Sequence, residues 1–224
     1  MLMVVDELPV IDRPIGGGID MGGNTLNPAA VFGQRHPAGS WLIHQEAIGK
    51  DMGVERFTMA VKLAFAEAFP TRKIEDSQFF GDPAGITKDP VYEFTAFEHF
   101  RRFGITVFPA PTNETKTRID AIKSPMGRMV NGRPGILIHR RCKNLIKGLS
   151  GAWQYRRTMI AGTQRFRETP DKDHPYSDIC ESLGYFLSGG GETLQARTGA
   201  TPGANRGWTG GAIKADTDFD PLTV

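Results

Sequence analysis

Three strand-like stretches crowd the start of the chain: "GGIDMGG" at 17–23, "PAAVFGQ" at 28–34 and "SWLIHQEAI" at 40–48. Little but turn-forming residues such as "RHPAG" (35–39) separates them, so the spacing predicts a three-stranded antiparallel meander. Residues 53–69 then place Phe57, Val61, Ala64, Phe65 and Ala68 at helical spacing, with Pro70 as a stop. Strand and helix alternate from there. "SQFFGD" (77–82) and "ITVFPAP" (105–111) read as buried strands, and Phe94, Phe97, Phe100 and Phe103 line a helix over 91–103. A further helix follows Thr112 or Asn113 as N-cap, with Glu114 near its start. "GILIH" precedes "RRCKNLIKGL", "AWQYRR" (152–157) reads as a strand or hairpin arm, and a closing helix spans 177–187 with Ser177 as N-cap. A meander followed by alternating elements implies an α/β fold, a mixed sheet with helices packed on both faces. The expected organisation is a leader or linker over 1–16, one domain over 17–188 and a flexible glycine-rich tail over 189–224.

With 39% hydrophobic residues in 224, the chain can build a core, yet no apolar run is long enough to span a membrane. "MLMVVDELPVIDRP" carries acids where a secretion signal needs a basic flank, so a cytosolic location is expected. Cys142 and Cys180 are too few for a zinc cluster or a disulfide framework and read as reduced core residues. The net charge is only +2, but residues 101–160 hold thirteen Lys and Arg against Glu114 and Asp120. Such a one-sided segment is either a solvated surface or the footprint of a polyanion.

Two acids stand at the ends of strands. Asp20 precedes a pair of glycines, and Asp82 in "QFFGDPAG" precedes a Pro-Ala-Gly turn. If their strands are parallel neighbours, both emerge at one edge of the sheet, where ligand sites of open α/β sheets lie. On the closing helix Ile179, Leu183, Phe186 and Leu187 form an apolar stripe, while Asp178 and Glu181, three residues apart, share the other side. Converging carboxylates repel one another unless a positive group sits between them. Mg2+ or Mn2+ prefer oxygen ligands and remove that cost. Two such ions about 3.5–4 Å apart can clamp a phosphodiester, one activating water and one stabilising the leaving oxygen. Taken singly, each acid has an ordinary use as a turn former, a helix-dipole partner or a surface charge. Their joint pattern beside a basic segment is what points to a metal.

The chain resembles the nuclease domain of tailed-phage large terminase subunits over most of 17–187. The resemblance is carried by "GIDMGGNTLNPAAVFGQ", "FFGDPAG", "GITVFPAPTNETKTRIDAIKS", "PGILIHRRCKNLIKGLSGAWQYRR" and "PDKDHPYSDICESLGYFL" in that order. It implies an RNase H-like fold and a metal-dependent DNA endonuclease that uses two Mg2+ or Mn2+ ions to cleave concatemeric viral DNA during packaging. It makes Asp20 and Asp82 the first two metal-binding acids and places Glu181 at the family's third acid. Asp178 stands where relatives commonly have His, as a second ligand or as a base just outside the ligands. Arg118, Arg140, Arg141, Arg156, Arg157 and Lys172 are the candidate backbone phosphate contacts. Double-stranded DNA, a small terminase subunit, a portal and an ATPase motor domain are the implied partners, in the host cytoplasm and without a membrane. Gly49-Lys50 is followed by Asp51 and lacks the glycine of a Walker A loop, so the motor half is absent, as in an excised domain or a split-gene product.

Two other readings compete. "GIDMGGNT" is also similar to the first phosphate loop of sugar kinases and related ATPases, which need a second glycine-rich loop. The only comparable run, "SGGGE", follows the last helix. The third reading is a DNA-binding module whose acids are structural.

Overall fold

A computed structural model describes residues 3–22, 26–87, 94–160 and 163–193. The elements are β1 (Val4–Val5), β2 (Gly16–Asp20), β3 (Ala29–Arg35), β4 (Trp41–Ile48), α1 (Val54–Ala68), β5 (Gln78–Gly81), α2 (Ala96–Arg102), β6 (Thr106–Pro109), α3 (Thr115–Gly127), β7 (Met129–Val130), β8 (Arg133–Pro134), β9 (Ile136–His139), α4 (Lys143–Lys147), β10 (Arg157–Ile160), β11 (Thr163–Phe166) and α5 (Tyr176–Gly189). Seven strands form one sheet in the order β1-β9-β4-β3-β2-β5-β6. β2, β3 and β4 make the expected antiparallel meander. The pairings β2–β5, β5–β6, β4–β9 and β1–β9 are parallel. Only β3 therefore runs against the others, and the C-terminal ends of β2, β4, β5, β6 and β9 share one edge.

Alternation along the strands sends side chains to two cores, one on each face. Ile19, Ala30, Phe32, Ala47, Phe79 and Val107 pack with Phe57, Val61 and Phe65 of α1 and Phe97 and Phe100 of α2. Phe32 meets Phe65 and Phe79 edge-on at 6.2 and 5.8 Å, the favoured aromatic arrangement. Ala29, Val31, Trp41, Ile43, Ile136 and Ile138 pack on the other face with α3, α4 and α5, and Trp41 sits edge-on to Phe186 at 5.1 Å. Both cysteines are buried there as free thiols, as expected. The first turn of α4 is capped from β4: the Glu46 carboxylate accepts from the backbone N–H of Asn144 and of Leu145, each at 2.9 Å.

Helix α5 lies directly on β2 because β2 offers no side chain at Gly18. A Cβ added at Gly18 would stand 1.8 Å from the Ser182 carbonyl oxygen and 2.8 Å from the Phe186 nitrogen. The Ser182 hydroxyl completes the contact by donating to Ala29 O at 2.9 Å, and its oxygen accepts from the Asp20 N–H at 3.2 Å.

Several expectations need correction. The segment read as a leader adds an edge strand, because Val4 and Val5 pair with Ile138 and His139 of β9, and the Gln34 side chain holds the backbone of Ile11 and Arg13. α3 starts at Thr115 with Glu114 as its cap, Thr112 supporting the cap residue rather than forming it, and α5 starts after Pro175 with Ser177 buried inside its first turn. The hairpin begins at Arg157 instead of Ala152, since 148–152 continue α4 as a wide helical turn. In the helix predicted over 91–103, Phe97 and Phe100 are buried. Phe94 precedes α2, exposed beneath the Arg102 guanidinium, and 91–93 fall outside the described residues. The tail expected from 189 is anchored as far as Thr193. Glu192 is fully buried, accepts from Trp41 Nε1 at 2.8 Å and pairs with Arg128, and 194–224 lie outside the described residues.

Substituting Gly18→Ala is expected to cost about 3 kcal/mol or more, or to prevent folding, because backbone faces the new methyl group. Gly127→Ala, with nothing within 4 Å of the added carbon, is expected to be neutral or slightly stabilising. Thermal unfolding of the two variants checks this, and equal melting temperatures would refute it.

Candidate functional site

The ladder between β2 and β5 sets Gly18 against Phe80 and Ile19 against Gly81. The next residue of each strand is an acid, Asp20 and Asp82, on strands about 4.8 Å apart. Both acids also share a face. Asp20 is two residues beyond Gly18, which touches α5, and Asp82 is two beyond Phe80, whose ring lies under α5 at Gly189. The structure thus brings the two strand-end acids to one edge and onto the side covered by α5.

α5 contributes the remaining groups. Asp178, Glu181, Ser182 and Tyr185 recur at three- and four-residue spacing, which places them on one helical face. The helix is buried almost all round from Ser177 to Ser188, more completely than the single apolar stripe predicts, because α3 packs on its flank. Glu181 is only 7% exposed. Its Oε2 lies 3.7 Å from Arg118 Nη2, and its Oε1 lies 3.6 Å from Lys172 Nζ. Asp178 Oδ2 lies 2.8 Å from His174 Nδ1 and 3.4 Å from the Ser177 hydroxyl.

Burial, followed by repulsion from Glu181 and from Asp178, raises the Asp20 carboxyl to about 7; the Gly22 N–H and Lys172 oppose the rise. Tyr185 reports the same crowd of charges. Burial pushes its phenol up, and Asp20, Asp82 and Glu181 add to the effect against the pull of Arg118.

Arg118 departs from the expectation of an outward-facing phosphate contact. It is 4% exposed, stacks on the Tyr185 ring at 4.4 Å and donates to Asn113 Oδ1 at 3.1 Å, an oxygen that also accepts from the Tyr185 hydroxyl at 3.2 Å. A guanidinium held this way faces Glu181 rather than solvent. Tyr185 and Asn113 were not singled out from the sequence as site residues. The four-residue step from Glu181 to Tyr185 is the signal that could have marked the tyrosine; Asn113 lies in the "PTN" stretch that, by the resemblance, borders the site, although a helix start explains it equally well.

The other basic candidates are exposed and already partnered. Arg140 pairs with Asp6 at 2.8 Å, Arg141 lies against His139, Arg156 pairs with Asp171 and Arg157 stacks on Phe166 at 5.4 Å. Arg140 and Arg141 follow β9 at the same edge as the two aspartates, three strand spacings or about 14 Å across the sheet from β2. Asp171 also pairs with Arg167, tying the β10–β11 hairpin to the segment that carries Lys172.

Among the described residues no group of three or more His, Cys, Asp or Glu is assembled in a form that could hold a metal ion. Each acid is turned onto a local partner, Asp20 onto the Gly22 N–H at 3.0 Å and Asp82 onto the Ala84 N–H at 2.8 Å. The donor set nevertheless fits a hard divalent cation. All of its donors are oxygens, and Asp20 carries a repulsion that such a cation would relieve. The glycine run a kinase-like reading needs is committed to packing: a Cβ at Gly190 would stand 2.1 Å from the Trp41 ring, and Glu192 is ion-paired.

No protein-family model and no curated protein sequence matches the chain. Solved structures do. Two crystal structures of the large terminase nuclease from thermophilic phage G20c, one with bound magnesium, are each 18% identical with a TM-score of 0.50. They cover 79% and 81% of this chain, and 82% and 84% of theirs. The large terminase (g2p) nuclease domain of bacteriophage SPP1 with bound Mn is 10% identical, with a TM-score of 0.51 over 83% of this chain and 95% of that one. The chain has the fold of a large terminase nuclease domain, the RNase H-like fold expected from the sequence.

The raised Asp20 pKa has a stability consequence. The penalty of ionising Asp20 is absent below its ordinary value of 3.8, grows as pH rises and is complete above about 7. In the absence of divalent cations, Asp20→Asn is expected to raise the melting temperature on the order of 5 °C at pH 8, with the gain shrinking toward pH 4. A gain independent of pH would contradict the assigned repulsion.

Proposed function

We propose that this chain is a metal-dependent DNA endonuclease, the nuclease unit of a phage packaging machine that cuts concatemeric viral DNA. The observation that carries the reading is the parallel register of β2 and β5, which sets Asp20 beside Asp82 on the face where α5 lays Glu181. The terminase nuclease fold, shared with proteins solved with magnesium or manganese, supports it.

In this reading Asp20, Asp82 and Glu181 hold two Mg2+ or Mn2+ ions. When bound, these supply the charge that activates the attacking water and stabilises the leaving 3′ oxygen of an in-line displacement. The chain's own residues bind, orient and shield. Asp178, with one oxygen engaged by His174, is a second ligand or a base just outside the ligands. Arg118, fixed by Asn113 and Tyr185, keeps Glu181 in place. Arg140, Arg141, Arg156, Arg157 and Lys172 are exposed cations suited to the DNA backbone; such contacts position a duplex without reading its sequence. Double-stranded DNA, an ATPase motor domain, the small terminase subunit and the portal are the proposed partners, in the host cytoplasm.

Incubation with supercoiled plasmid and Mn2+ tests the proposal. Nicking is expected to vanish with EDTA and to fall at least roughly 100-fold in Asp20→Ala and Asp82→Ala. Binding without cutting in all samples would instead identify a DNA-binding module, and ATP consumption with a small hydroxyl substrate would identify a kinase-like enzyme.

A further inference from the structure

Both oxygens of Glu181 already face cations of the protein itself, Arg118 at Oε2 and Lys172 at Oε1. The two cations differ in one decisive respect. The Arg118 side chain is 5% exposed and is held by Asn113, Thr115 and the Tyr185 ring, so it cannot leave without unpacking α3 from α5. Lys172 is 79% exposed, approaches Glu181 only through its terminal ammonium, and sits in an irregular segment between β11 and α5. Its charge also reaches Asp20, the acid that most needs compensation. An ammonium on a flexible stem beside a buried carboxylate is a mobile monovalent cation tethered to the site.

We infer that Lys172 is a resident counter-ion that holds the place of a divalent cation at Glu181 and must swing away when that cation binds. The inference rests on the nuclease reading and deepens it. Lys172 offsets the Glu181 charge in the metal-free protein and, for the same reason, opposes metal entry. Displacement also frees the ammonium at the mouth of the site, where it can meet a phosphate, so cation loading and backbone contact share one side chain.

Calorimetric titration of the whole chain with MnCl2, without DNA, tests this with no reference to cutting. Lys172→Met is expected to tighten Mn2+ binding about 3- to 10-fold, as removal of a partly exposed opposing charge should, and the gain should shrink as salt is added. Lys172→Arg, which keeps the charge, is expected to bind as the unaltered chain does. Binding that is unchanged or weakened in Lys172→Met, while Asp20→Asn abolishes it, would overturn the place-holder role and leave the nuclease reading intact. No Mn2+ binding in the unaltered chain or in Lys172→Met would overturn both. Circular dichroism of each variant establishes that the fold is retained.

Discussion

The parallel ladder between β2 and β5 ends with Ile19 opposite Gly81, and the next residue on each strand is an aspartate. Most of the site follows from that register. A slip by one residue would turn one acid to the α1 face, since successive side chains point to opposite sides of a sheet. The register is held from both sides. Phe79 and Ile19 are fixed in the core under α1, and α5 rests on Gly18 with no room for a side chain between them. The glycine therefore does more than permit a turn. It lets the helix bearing Glu181 and Tyr185 approach the backbone of the strand bearing Asp20.

Gathering acids in a half-buried place is unfavourable unless charge is supplied. The protein supplies part of it. Arg118 and Lys172 flank Glu181 and His174 engages Asp178, whereas Asp20 is left with its carboxyl raised to about 7. The uneven compensation locates the remaining need for positive charge at Asp20, between the strand end and the helix. Packing and the proposed site meet in the Arg118–Asn113–Tyr185 cluster, where one guanidinium joins α3 to α5 and faces Glu181.

Much of the architecture was legible in the sequence because it rests on local periodicity. The meander, α1, β5 and α5 all follow from apolar spacing bounded by glycine and proline, and the strand-end acids were visible as residues that end an apolar run. What escaped reading depends on distant partners. Val4–Val5 is too short a run to announce a strand and becomes one only because β9 offers an edge. Asn113 has the chemistry of a helix cap, yet its side chain is drawn to Arg118 and Tyr185. Arg118 belongs to a basic segment that reads as surface, and only the packing of α3 on α5 buries it. Glu192 lies in a glycine-rich stretch without periodicity, and its burial requires Trp41 and Arg128 from elsewhere in the chain.

The central claim is that Asp20, Asp82 and Glu181 converge on shared cations. Anomalous diffraction from crystals grown with Mn2+ tests it most directly. The account predicts manganese peaks at the C-terminal edge of β2 and β5, ligated by oxygens of these three residues, with the Lys172 ammonium moved off Glu181. Manganese bound only elsewhere, or carboxylates of residues 20 and 82 directed to opposite faces of the sheet, would contradict it.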